Sequence, residues 1–259
     1  MTGKEFGRLS REHLASFRAM RYAMDEQFGE LHSMLAQKQT EMAAYLGSNF
    51  IWHQFYSIPL MALPLLVIKT LGALDDFMAF IRDPNIVQVA IDEVIAGEFS
   101  LDSPDLTPEQ FEQIFPMLTA LKNQMRGINY YGYPLSDFLG RYLKNPTDED
   151  LMLLLSVDSS LISLPSFQNR INIAKAVNDS AFEKRLASAM KEQPHKGRLP
   201  YQDLRYTLYA LKIEGSIDSL TEETAYQLFC RELNYFPDDG DAGRSLWKFI
   251  ERWRKEFPT

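Results

Sequence analysis

Apolar residues in this chain recur at helical rather than strand spacing. From residue 14 the positions Leu14, Phe17, Arg21, Met24, Phe28, Leu31, Leu35, Lys38, Met42 and Tyr45 step by threes and fours without a break, and only Arg21 and Lys38 are not apolar. This pattern predicts one long N-terminal helix of about 32 residues, spanning roughly 48 Å at ~1.5 Å per residue. Packing against the chain's own helices is the preferred use of its apolar edge. The same spacing also suits a self-association seam, with Leu14, Phe17, Met24, Phe28, Leu31 and Leu35 facing a second copy in a homodimer.

The most apolar run follows, Ser57 to Leu74, inside a segment from Met42 to Ile68 that holds no Asp, Glu, Lys or Arg. A membrane span needs about 20 apolar residues. Here Gly47, Ser48, Asn49, His53, Gln54 and Ser57 interrupt the first half, and the continuous run Ile58 to Ile68 contains Pro59 and Pro64. The expectation is a buried, proline-punctuated core segment covered on several sides. Membrane association through residues 50–81 is possible but not favoured.

Beyond residue 104 the chain alternates amphipathic stretches with turn-rich ones. Thr107, Pro108 and Gln110 form a helix start with a capping box, ahead of an apolar face of Phe111, Ile114, Leu118 and Leu121. Ser180 with Glu183 repeats that spacing, and Thr221 opens another helix carrying Ala225, Leu228, Phe229 and Leu233. Stretches such as NPTDED, QPHKG and FPDDGD supply the turns. No residue signature recurs at a fixed period, which disfavours a repeat array. The fold class expected is all-α: an irregular multi-helix bundle with a long N-terminal helix. Its natural division is residues 1–104, the long helix and apolar segment, and 105–259, the multi-helix region, or one continuous domain.

Charge and cysteine usage narrow the function classes. A formal net charge of −8 opposes whole-surface attraction to nucleic acid, so such a partner is disfavoured. The single cysteine, Cys230, excludes an internal disulfide framework and fits a reducing compartment. The first residues lack a secretory signal pattern, and a cytoplasmic location is expected.

Motifs with chemistry are scarce. Asp75-Asp76 has Ala79 where a magnesium–diphosphate cluster would need a further acid, Glu192 and His195 are separated by a helix-breaking Pro194, and Ser188…Lys191 lacks the motifs that accompany acyl-transfer nucleophiles. No residue is assigned a catalytic, cofactor-binding or metal-binding role, and no cofactor is implied. Two surface features remain. Arg244, Lys248 and Arg252 form a basic stripe on an amphipathic helix anchored by Leu246, Ile250 and Trp253, preferably read as a solvated face that complements the helix dipole and otherwise as a contact site, while Tyr130, Tyr131 and Tyr133 crowd a turn, preferably folded back over the core and otherwise anchoring an interface. These point to a protein–protein interaction or scaffold protein with an unidentified protein partner. The alternatives are an enzyme or small-ligand-binding protein with a cavity in the helical core, and a membrane-associated protein.

Overall fold

A computed structural model describes residues 9–19, 21–22, 37, 52–96, 106–193 and 196–256. Among them there are helices and turns but no β-strand, so the all-α bundle expected from the spacing is observed. Helix α1 covers residues 11–19, and residues 21–22 are also helical. The rest of the predicted long helix, including Met24, Phe28, Leu31 and Leu35, lies outside the described residues.

The centre of the bundle is a long helix, α5 (Pro108–Tyr131). Its start is the predicted capping box: the Gln110 amide donates to Thr107 Oγ1 at 3.2 Å, and the Thr107 amide donates back to Gln110 Oε1 at 3.0 Å. One side of α5 receives a 3-10 helix, Trp52–Ser57, and α2 (Ala62–Thr70). Other faces receive α6 (Leu135–Lys144) and α10 (Gln202–Ile213), with α7 (Asp148–Val157) beside α6. Helices α8 (Pro165–Ala176) and α9 (Ser180–Ala189) follow in the chain, with α9 packed on α7. The short α11 (Glu222–Tyr226) continues as a π-helical turn, Gln227–Glu232, and packs on α12 (Ala242–Glu256). One main core draws on residues from Leu14 and Trp52 through Phe138 and Leu208 to Trp253, and so includes side chains from both sides of residue 104.

Two local expectations need correction. The cap of α9 is Asp179, whose Oδ1 accepts from the Phe182 amide at 3.0 Å, and Ser180 is the first helical residue. The preceding Asn178 has φ 55°, a left-handed turn that brings the Asp179 carboxylate over the helix end. The apolar segment is covered over only part of its length. Trp52, Tyr56, Leu63 and Val67 are buried, but α3 (Leu74–Arg82) buries no residue, and α4 (Pro84–Ala96) continues beside it. Met61, Leu65, Phe80, Ile81, Ile86 and Val89 are exposed.

What anchors the first half of that segment is polar. Asp158 is fully buried between α7 and the 3-10 turn Ser159–Ser163. Its Oδ2 accepts from Trp52 Nε1 at 2.9 Å and from the Tyr56 hydroxyl at 2.5 Å, while its Oδ1 accepts from the Ser160 amide and hydroxyl. Asn123 of α5 donates to the Tyr56 oxygen at 3.0 Å. A buried carboxylate with this many donors is stabilised in place, and Trp52 and Tyr56 are two of those donors.

Candidate functional site

Helix α12 is amphipathic in the manner its spacing predicts. Leu246, Ile250 and Trp253 are buried, whereas Arg244, Lys248 and Arg252 are exposed along the opposite side. None of these three cations forms an ion pair among the described residues. Elsewhere arginines do pair with acids, as in Arg170 with Asp148 at 2.7 Å and Arg231 with Asp238 at 2.7 Å.

The tyrosine turn is locked against the inner side of α12. Helix α5 ends at Gly132, whose φ of 89° is the left-handed conformation that a chain reversal needs. Tyr133 then turns inward and is fully buried, its ring stacked on Trp253 with centroids 4.7 Å apart, and its hydroxyl donates to the Trp253 carbonyl at 2.7 Å. Trp253 Nε1 donates back to the Gly132 carbonyl at 3.2 Å. Tyr131 is also buried, its hydroxyl 2.8 Å from Ser156 Oγ, and Tyr130 is half-buried. As for the N-terminal seam, Leu14 is fully buried in the chain's own core and Phe17 meets Tyr206 edge-on at 5.9 Å. Arg21, one of the two polar positions of that pattern, binds Asp203 of α10 through Nε at 2.7 Å.

The tyrosine turn and the basic stripe meet at a small pocket of about 70 Å³. Tyr131, Phe249 and Trp253 form its aromatic wall. Its polar lining is Arg198, Arg205, Arg252 and Glu256. Arg205 sits on α10 among Leu204, Leu208 and Leu211 and is only 4% exposed. Its Nη1 donates to the carbonyls of Asn129 at 3.1 Å, Arg198 at 2.9 Å and Pro200 at 2.9 Å, which ties the loop before α10 to the end of α5. Its Nε and Nη2 make no hydrogen bond among the described residues. The guanidinium lies over Phe249, 5.7 Å from the ring centre, and that of Arg198 lies over Tyr131 at 5.2 Å. Aromatic faces thus orient both cations.

Electrostatics in the pocket are strained in favour of an anion. Burial lowers the Arg205 pKa to about 10, with the neighbouring Arg198 charge acting in the same direction, so the group is still a cation at neutral pH. Glu256 is raised from its ordinary value, chiefly by burial, against the pull of Arg141, Arg198 and Arg205. It forms no ion pair with Arg198 or Arg205 among the described residues. In the pocket itself the guanidinium groups of Arg198, Arg205 and Arg252 stand with the single carboxylate of Glu256 and form no ion pair with it among the described residues.

Of the residues singled out from sequence, Arg252 and Tyr131 come together here, and Arg244 and Lys248 continue the basic face away from the pocket. Arg198, Arg205 and Glu256 were not singled out. Arg205 carried a usable signal, since it stands four residues after Tyr201 and three before Leu208, on the apolar flank of its helix. Among the described residues no group of three or more His, Cys, Asp or Glu side chains is placed to hold a metal ion, and no helix is long and apolar enough to cross a membrane. Comparison with known proteins finds no matching family, no similar curated protein and no similar solved structure.

Proposed function

We propose that this is a helical protein–protein interaction protein that uses the outer face of α12 to hold an acidic partner. The observation that carries this reading is the row Arg244, Lys248 and Arg252: exposed, on one side of a helix whose other side is anchored in the core, and without an ion pair among the described residues. A basic face on a molecule of net charge −8 gives an acidic surface a defined place to dock and directs its approach. The exposed apolar residues of α3 and α4 lend less to a membrane role, because Asp75, Asp76, Asp83, Asp92 and Glu93 accompany them against Arg82 alone. Anionic lipid would be repelled there.

The test is binding of a fluorescent oligoglutamate peptide to the full chain, followed by anisotropy across a range of salt concentrations. Binding is expected at low salt and should weaken as salt rises, because exposed charges are screened within about 8–10 Å at physiological ionic strength. Changing Arg244, Lys248 and Arg252 together to Glu should abolish it while shifting stability by no more than ~1 kcal/mol. A triple variant that folds and binds the peptide as well as the wild type overturns the reading.

A further inference from the structure

We infer that the pocket between α10 and α12 is a binding site for one phosphate monoester group, held by Arg198, Arg205 and Arg252. The lining fits that ligand in charge, in geometry and in size. Three guanidinium groups facing one carboxylate leave an excess of two positive charges, and a phosphate monoester carries about −1.5 to −2 at neutral pH. Arg205 is more than nine-tenths buried, and its Nε and Nη2, the donors not used on backbone carbonyls, make no other hydrogen bond among the described residues. A guanidinium presents such donors in a rigid fork suited to phosphate oxygens. Arg198 and Arg252 are exposed and stand at the mouth, where a ligand arrives without rearrangement of the core. The volume of about 70 Å³ takes a charged head group and leaves its carrier outside. Glu256 is the internal competitor, an anion already at the site and held there without an ion pair.

The pocket stands on its own geometry; only the carrier of the phosphate rests on the interaction reading. Two carriers have this chemistry, a small phosphorylated metabolite and a phosphorylated side chain of the acidic partner. The full chain is titrated by calorimetry, at fixed ionic strength, with O-phosphoserine, with an acidic peptide containing phosphoserine, and with the same peptide unphosphorylated. O-phosphoserine should bind saturably at one site. Arg198→Gln and Arg252→Gln should each weaken it at least about tenfold, the loss of a charge-assisted hydrogen bond. Both positions are exposed, so the variants are expected to fold, and their melting curves check this. Glu256→Gln should tighten binding by removing the competing charge. Arg244→Gln should leave it unchanged, since that residue lies two turns away along α12, about 12 Å at ~1.5 Å per residue.

A phosphopeptide that binds more tightly than O-phosphoserine, with the gain lost in Arg244→Glu/Lys248→Glu, identifies the partner as the carrier. Equal affinities identify a small molecule and leave the pocket standing without the partner. The inference is overturned if O-phosphoserine does not bind saturably. It is equally overturned if Arg244→Gln weakens binding as much as Arg252→Gln does, or if the unphosphorylated peptide competes as well as the phosphorylated one.

Discussion

At Gly132 a Cβ atom would overlap the Trp253 indole nitrogen, and the backbone φ of 89° is one that side chains resist. Gly215 has a similar φ of 72° but open space where its Cβ would be, so the pair separates the two costs. Gly215→Ala should lose about 1–2 kcal/mol for the left-handed backbone alone. Gly132→Ala should lose that plus a further ~1–3 kcal/mol from crowding in a packed core. Urea denaturation measures both, and equal losses would show that Trp253 gives way freely. The same glycine bears on the tyrosine turn, for which folding back over the core is the preferred reading of the sequence and is what Tyr131 and Tyr133 do. Aromatic density around residues 130–133 is plain in the sequence, yet the direction Tyr133 takes is decided by Trp253, 120 residues later in the chain. For Arg205 the sequence shows only the place on an apolar flank; its role needs the carbonyls of Asn129, Arg198 and Pro200 brought around it.

Elements were more legible than residues, because caps and periodicity act within a few positions. The α5 start at Thr107 needs only Pro108 and Gln110, and the face of α12 needs only every third or fourth residue. Coverage of a helix is not local in this way. The apolar run from Ile58 onward predicted burial, but burial requires partners, and α3 packs chiefly on its sequence neighbours α2 and α4. Helices with few buried contacts open at lower cost than the rest of a fold. Amide hydrogen exchange should therefore show residues 74–96 protected at least about tenfold less than the second half of α5, which carries Ala120, Asn123 and Ile128 in the core. Equal protection would mean that α3 and α4 belong to the same cooperative unit as α5.

For the whole molecule, net charge and composition fixed broad limits, but the buried titratable groups appear only once the core is assembled. Tyrosine is the case with a measurable consequence. Burial raises Tyr56 and Tyr133 well above the ordinary phenol value and lifts Tyr209 and Tyr235 to about 12; Tyr206 is raised as well. Desolvation is the first cause in each, and for Tyr56 the Asp158 carboxylate adds to it. In the unfolded chain these phenols ionise near pH ~10. Between pH 10 and 12 the unfolded state has therefore released protons that the folded state still holds, so the contribution is fully present below pH ~10 and is lost as the pH rises. Each tyrosine that holds its proton through this window withdraws up to ~1.4 kcal/mol per pH unit, so a few of them together weigh noticeably against the marginal stability of a typical domain. Alkaline titration should accordingly show a first, gradual rise in tyrosinate absorbance from exposed residues. A second, steep rise should then coincide with the loss of helical circular dichroism. Replacing Tyr209 by Phe keeps the ring and removes the phenol, so it should move that steep step to higher pH. A single smooth titration near pH 10 with the helical signal intact would place these phenols in contact with solvent and contradict the packing around α5, α10 and α12.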